Sequence, residues 1–181
     1  ELRERTYLKI RSPGTSGNQH DYVNWALSVD GVGGAKCIPL WNGAGTVKVV
    51  ITNASGETAP TSLVTATKTY IETVRPVGAS VTVVSATAKT INVKAKITLK
   101  SGYTITNVKA AIVAAITDYL RNFRLSGTAV SYARIGAIIL GVDGVDDYSD
   151  LRTGTGTTWG TSNIAIATDE VPVMGDFTNV T

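Results

Sequence analysis

The sequence predicts an α+β fold built as two small α/β sandwich modules, residues 1–87 and 88–181. Three observations predict it. Ile91, Val93, Ala95, Ile97 and Leu99 alternate strictly with Thr90, Asn92, Lys94, Lys96, Thr98 and Lys100, the period of a strand with one apolar and one wet face. Ile105, Val108, Ile112, Ile116, Tyr119 and Phe123 then recur at helical spacing. Ahead of both, strand-like and helix-like runs follow one another in the order β-α-β-β-α-β, the split arrangement called ferredoxin-like.

In the first module Thr6 to Ile10 reads as a short strand, broken by the run from Ser12 to Gly17. Tyr22, Trp25, Ala26 and Val29 share a helical face, and Gly31, Gly33 and Gly34 end that helix. Ala35 to Trp41 and Thr46 to Asn53 read as strands joined by Asn42-Gly43-Ala44-Gly45, an Asn-Gly hairpin signal. Pro60 and Thr61 open a second helix, with Leu63, Tyr70, Ile71 and Val74 expected on its buried side and Pro76 as its stop. Ser80 to Ala86 closes the module as a strand.

In the second module Ser101-Gly102 turns the alternating strand into its helix, which Leu125-Ser126-Gly127 ends. Tyr132 to Ile139 reads as a shorter helix and Gly144 to Leu151 as a strand. Arg152 to Ser162, rich in Gly and Thr, reads as a loop or hairpin tip. Asn163 to Thr168 and Val171 to Phe177 are the last strands, and Pro172 suits an edge. The result is a mixed sheet with its helices on one face.

Composition narrows the function. Of 181 residues, 43% are hydrophobic and 17% charged, which suits a globular protein with a substantial core. A net charge of +3, from 17 basic and 14 acidic residues, is too balanced to imply nucleic acid or an anionic membrane as a partner. One cysteine, Cys37, makes no internal disulfide. No apolar run approaches the roughly 20 residues that cross a bilayer. No signal peptide is expected at the start. The first residue is Glu1 and not Met, so the sequence is expected to be a piece or a processed product lacking an upstream domain.

No catalytic constellation stands out. His20 is the single histidine, and its neighbour Asp21 points elsewhere on a helix, so neither builds a serine triad. Cys37 lies in a strand without an evident base and reads as a buried structural thiol. Asp143, Asp146, Asp147 and Asp150 are dense but lack the spacing of a calcium loop. They read as a turn at Asp143-Gly144 and a strand edge, with Asp146, Asp147 and Asp150 solvated or crossing a subunit contact. A carboxylate pair of a glycosidase would also need an aromatic groove, and only Tyr148 and Trp159 are near in sequence. Gly43-Ala44-Gly45 and Gly154-Thr155-Gly156 lack the context of dinucleotide or phosphate loops and read as turns. Lys89, Lys94, Lys96 and Lys100 form a stripe without the interleaved aromatics of a single-strand binder. Trp25 and Trp41 read as core or rim. Trp159, in the Gly/Thr segment, is the first candidate for contact with a neighbouring subunit, a fold-back over its own sheet being the competing reading. Neither a cofactor nor a metal site is expected, and the chain reads as a non-enzyme.

Several phrases in order carry a resemblance: ELRERTYLKIRSP, GNQHDYVNWALSVDGVGGAKCIPLW and NGAGTVKVVI at the start, then RPVGASVTVV, then ILGVDGVDDYSDL. Together they resemble the baseplate J-like family of contractile phage tails and phage-derived injection particles. Arg3, Arg5, Trp25, Pro39, Gly43, Gly45, Arg75, Pro76, Gly78 and Gly144 are among the family-like positions. The opening LRERTY is similar to the link out of that family's upstream domain, so the chain resembles its C-terminal part. The resemblance implies a structural subunit of the baseplate wedge, placed around the tail hub in the virion tail and assembled in the bacterial host cytoplasm. It implies other wedge and hub proteins and copies of itself as partners, and no nucleic acid, membrane or small-molecule substrate. No catalytic residues come with it. Trp159, Asp146 and Asp147 are the expected subunit-interface residues. A host-surface or carbohydrate-binding tail module is the alternative, and a hydrolase using the acidic cluster a more distant one.

Overall fold

The computed structural model describes residues 17–180. Helix α1 (Gln19–Leu27) starts at a reciprocal cap. The Asn18 side chain accepts from Asp21 N–H at 3.0 Å, and the Asp21 carboxylate accepts from Asn18 and Gly17 N–H at 3.1 and 2.8 Å. Those bonds satisfy donors that a helix start otherwise leaves open. Tyr22 and Ala26, four residues apart, bury one face of α1, and Trp25 packs edge-on against Tyr22 with ring centroids 5.0 Å apart. The helix ends at Leu27. Gly33 and Gly34, expected as helix terminators, instead lie inside strand β1 (Val32–Pro39), and Gly31 takes the left-handed turn at φ +91°.

β1 pairs antiparallel with β2 (Thr46–Asn53), and β2 pairs in parallel with β3 (Ser80–Ser85). The crossover between the parallel strands is α2 (Thr61–Val74), a βαβ unit. α2 ends because Pro76 pushes Arg75 out of the helical region, to ψ 152°. Cys37, Val49, Ile51, Ile71, Val81 and Val83 join Tyr22 and Ala26 in one core.

Two readings of this half are corrected. A split βαβ inserts a strand between the two parallel ones, whereas β2 and β3 hydrogen-bond directly, so the described strands do not have the ferredoxin-like order; the expected first strand, Thr6 to Ile10, lies outside the described residues. On α2, Ile71 is buried and Leu63 half-buried, but Tyr70 and Val74 are exposed. Thr67 takes the central buried position, its hydroxyl donating to the Leu63 carbonyl at 2.8 Å, and that bond removes the cost of burying a hydroxyl.

The chain divides between Ala86 and Thr87 into two units. In the second, β4 (Thr87–Leu99) lies between β6 (Val145–Thr155), antiparallel, and β9 (Glu170–Asn179), parallel; β7 (Thr158–Gly160) extends the sheet beyond β6, in the order β7-β6-β4-β9. Helices α3 (Ile105–Leu120) and α4 (Tyr132–Leu140) connect these strands, and β5 (Ala129–Val130) and β8 (Ile164–Ala165) form a small antiparallel pair. Val108, Ile112, Ile116 and Leu120 of α3 and Ile135 and Ile139 of α4 pack on Ile91, Val93, Ala95 and Phe177, so the apolar face of β4 is the helix-covered one. Pro172 sits on β9, which among the described strands pairs with β4 alone and forms an edge. The Gly/Thr segment is a hairpin: β6 runs on past Leu151 to Thr155 and turns back as β7. The strand expected over Asn163 to Thr168 is confined to β8.

Candidate functional site

The expected interface residues all lie on the β6–β7 ribbon. Trp159, on β7, is cross-strand from Gly154, which is cross-strand from Asn92 of β4. All three share the sheet face that faces away from the helices. There Lys94 Nζ sits 4.4 Å from the Trp159 ring centroid, a cation–π contact. Asn92 donates to the Gly156 carbonyl at 3.3 Å and accepts from Asp176 N–H at 3.1 Å, tying the hairpin tip and β9 to β4. The ring is half-buried: the indole lies along the sheet face toward Lys94 and part of it stays open. Lys96 and Arg152, exposed, stand on the same face beside Lys94.

Asp146 and Asp147 are exposed at the start of β6, with Asp147 opposite Thr98. Six residues of β4 separate that register from Asn92, about 20 Å of strand. The structure therefore does not bring Trp159 together with the two aspartates; they are two surfaces at opposite ends of one ribbon. The Asp147 carboxylate accepts from Tyr148 N–H at 2.8 Å. Asp150 serves the backbone. It occupies a β-bulge between the Lys94 and Lys96 registers at φ +52°, a left-handed conformation that Asp tolerates better than most residues. Asp143 precedes Gly144, which turns at φ +92° with the Tyr103 ring packed where a Cβ would be. The acidic cluster is thus a turn, a strand end and a bulge. Among the described residues no group of three or more His, Cys, Asp or Glu could hold a metal ion.

The nucleophile candidates are equally plain. Burial pushes the Cys37 thiol up to about 11, so at neutral pH it is a protonated core group among Val49, Ile51 and Val83. His20 is exposed in the first turn of α1. The Glu170 carboxyl is held below its ordinary value, chiefly by the backbone N–H of Ala167 at 2.8 Å and also by Lys89 at 3.0 Å, against a smaller rise from burial. These contacts clamp the start of β9 to that of β4. Among the described residues no helix is long and apolar enough to cross a membrane.

The sequence reading puts Trp41 in the core or rim and gives no role to Leu40 or Val77. All three are exposed. An apolar pair directly before an Asn-Gly turn, Leu40-Trp41 before Asn42-Gly43, was the available signal.

Each of the two units is a sheet with its helices packed on one face. Models of one family match both units: the Baseplate J-like central domain over residues 14–85 and the Baseplate J-like protein C-terminal domain over residues 91–180. The chain belongs to the baseplate J-like family. It is 35% identical over 182 residues to the phage-like element PBSX protein XkdT of Bacillus subtilis (strain 168), covering 96% of this chain and 51% of that protein. It is 34% identical over 160 residues to baseplate protein gp47 of Escherichia phage Mu, covering 82% of this chain and 43% of that protein. The chain thus spans about half the length of the curated relatives it matches. A chain of the 6-fold symmetrised baseplate of the anti-feeding prophage has the same fold, with a TM-score of 0.70 at 10% identity, over 97% of this chain and 41% of that one.

Proposed function

We propose that this chain is a non-enzymatic structural subunit of the baseplate wedge of a contractile phage tail or prophage-derived particle, working through contacts with wedge and hub proteins around the tail hub. The observation that carries the reading is the match of both units, in order, to the central and C-terminal models of one baseplate family. Chemistry supports it. The thiol is a protonated core group, the histidine lies on an open helix turn, the Asp147 carboxylate accepts from the Tyr148 N–H, and Asp150 stands at a bulge in the left-handed region. Trp159 supplies a half-open aromatic on an uncovered sheet face, and Asp146 and Asp147 a charged strand end; both serve as subunit contacts.

Immunogold electron microscopy of tail particles, with antibody against this chain, tests the reading. Label confined to the end plate is expected. Label on fibres would favour host-surface recognition instead, and protein found only free in the lysate would remove the structural role. Trp159→Ala is expected to leave the fold intact and to reduce incorporation into particles.

A further inference from the structure

The face of the second sheet that the helices leave uncovered holds three cations where electrostatics alone would separate them. Lys94 and Arg152 are directly cross-strand, and Lys96, two residues on, lies on the same face opposite Ser149. Cross-strand side chains stand about 5 Å apart between Cβ atoms, and like charges in that relation destabilise a sheet. Lys94 and Lys96 are about 7 Å apart along β4. Elsewhere cations are answered by carboxylates, as Lys89 is by Glu170 and Arg121 by Asp118, each at 3.0 Å. Here they are not. Asp150 in the adjoining bulge, Asp147 farther down β6 and Asp176 on β9 are exposed, yet among the described residues none forms an ion pair with Lys94, Lys96 or Arg152.

The surroundings keep these cations accessible. Their neighbours across the strands are small, Ser149 and Gly154 on β6 and Thr178 on β9, and Lys96 and Arg152 are exposed. Lys94 Nζ is held 4.4 Å from the centroid of the half-buried Trp159 ring, a contact that fixes its position without neutralising it. That ammonium takes one face of the indole, so a sugar or a nucleic-acid base has no stacking surface there. Carboxylates fit better. An extended peptide places alternate side chains about 7 Å apart on one side, the spacing of Lys94 and Lys96, and Arg152 offers a two-pronged donor to a carboxylate.

We propose that this face binds an acidic, extended segment of a partner protein, its carboxylates bridging Lys94, Lys96 and Arg152 beside Trp159. This rests on the assembly reading above and adds the chemistry of one partner. The like-charge cluster costs stability in the free chain, and the bound carboxylates relieve it.

Fluorescence anisotropy of a fluorescein-labelled peptide of alternating Glu and Thr, titrated with the purified chain, tests it. One peptide should bind per chain, more weakly as salt rises, and the same peptide with Gln for Glu should not bind. Lys96→Glu and Arg152→Glu, each at an exposed position and checked for native circular dichroism, should each weaken binding by roughly tenfold or more. Lys109→Glu makes the same change of charge on an exposed position of α3 and should weaken it less than about twofold, being remote from the face. Arg152→Gln should weaken binding while its urea midpoint holds or rises, because it removes the cross-strand repulsion. Absence of peptide binding overturns the proposal, as does binding that Lys109→Glu reduces as much as Lys96→Glu. So does an Arg152→Gln variant that loses binding only together with stability. Binding of inorganic polyphosphate without binding of the peptide would also overturn it, in favour of a phosphate polymer. Immunogold label at the end plate with no peptide binding would remove this site alone, whereas peptide binding with no label would keep the site and remove the assembly reading.

Discussion

Thr153 of β6 is 2% exposed, and among the described residues its hydroxyl oxygen has no hydrogen-bond partner. Its cross-strand neighbour is the fully buried Val93, so the hydroxyl faces an apolar core. A buried polar group without a partner costs about 1–3 kcal/mol. Thr153→Val keeps the branched shape and is expected to raise stability by about 1 kcal/mol in urea denaturation; a loss of stability would mean the hydroxyl is satisfied. Glu170 gives the opposite case, a carboxylate with good partners. Its folded pKa is depressed, first by Ala167 N–H and then by Lys89, so its contribution is present above the ordinary value of 4.5 and is lost as pH falls through the lower folded value. Thermal melts of wild type and Glu170→Gln should differ at pH 7, the variant melting lower, and converge as the pH drops below 4.5. A gap that stayed constant into acid would assign the effect to packing and not to charge.

Helix α4 reaches β6 closely because of one residue. A Cβ on Gly136 would overlap Tyr148 Oη and lie 3.1 Å from its Cζ, so the tyrosine ring rests against the helix backbone. Gly136→Ala gains about 1 kcal/mol of helix propensity but overpacks this contact, which costs about 1–3 kcal/mol; net destabilisation is expected. In a Tyr148→Phe background the nearest atom is gone, and the same substitution should cost less or become favourable. Additive effects in that double-mutant cycle would refute the contact. Such contacts explain what could be foreseen. β4 and α3 were legible because each has one face in the core and one in water, which imprints period 2 on the first and helical spacing on the second. α2 misled because Thr67, its hydroxyl bonded within the helix, occupies the core position that pattern reading assigned to Tyr70 and Val74. The order of the first sheet was illegible for another reason: the pairing of β2 with β3 joins segments more than thirty residues apart, and local periodicity carries no register. The candidate site divides the same way. The Gly/Thr hairpin bearing Trp159 could be read locally, whereas its stacking under Lys94 depends on distant pairing.

At the scale of the whole molecule, the two units bury separate cores. One gathers Tyr22, Ala26, Cys37, Val49, Ile51, Ile71, Val81 and Val83; the other gathers Ile91, Val93, Ile112, Ile116, Ile135, Ile139 and Phe177 with their neighbours. Among the described residues no buried side chain belongs to both clusters. The backbone bonds at the junction follow the same division: Ala86 N–H donates to the Ile51 carbonyl at 2.9 Å, in its own unit, and Thr87 N–H donates to the Asp169 carbonyl at 2.9 Å, in the other. Two consecutive residues thus send their donors to different sheets. A domain with its own core is able to fold alone. Residues 87–181 expressed by themselves are therefore expected to give native-like circular dichroism and one cooperative urea transition. The midpoint should fall when Ile112→Ala removes buried volume at the centre of α3, by about 2–5 kcal/mol in free energy. A fragment that stays unfolded, or melts without cooperativity, would show that the second core is completed by the first unit and that the chain is one folding domain with two sheets.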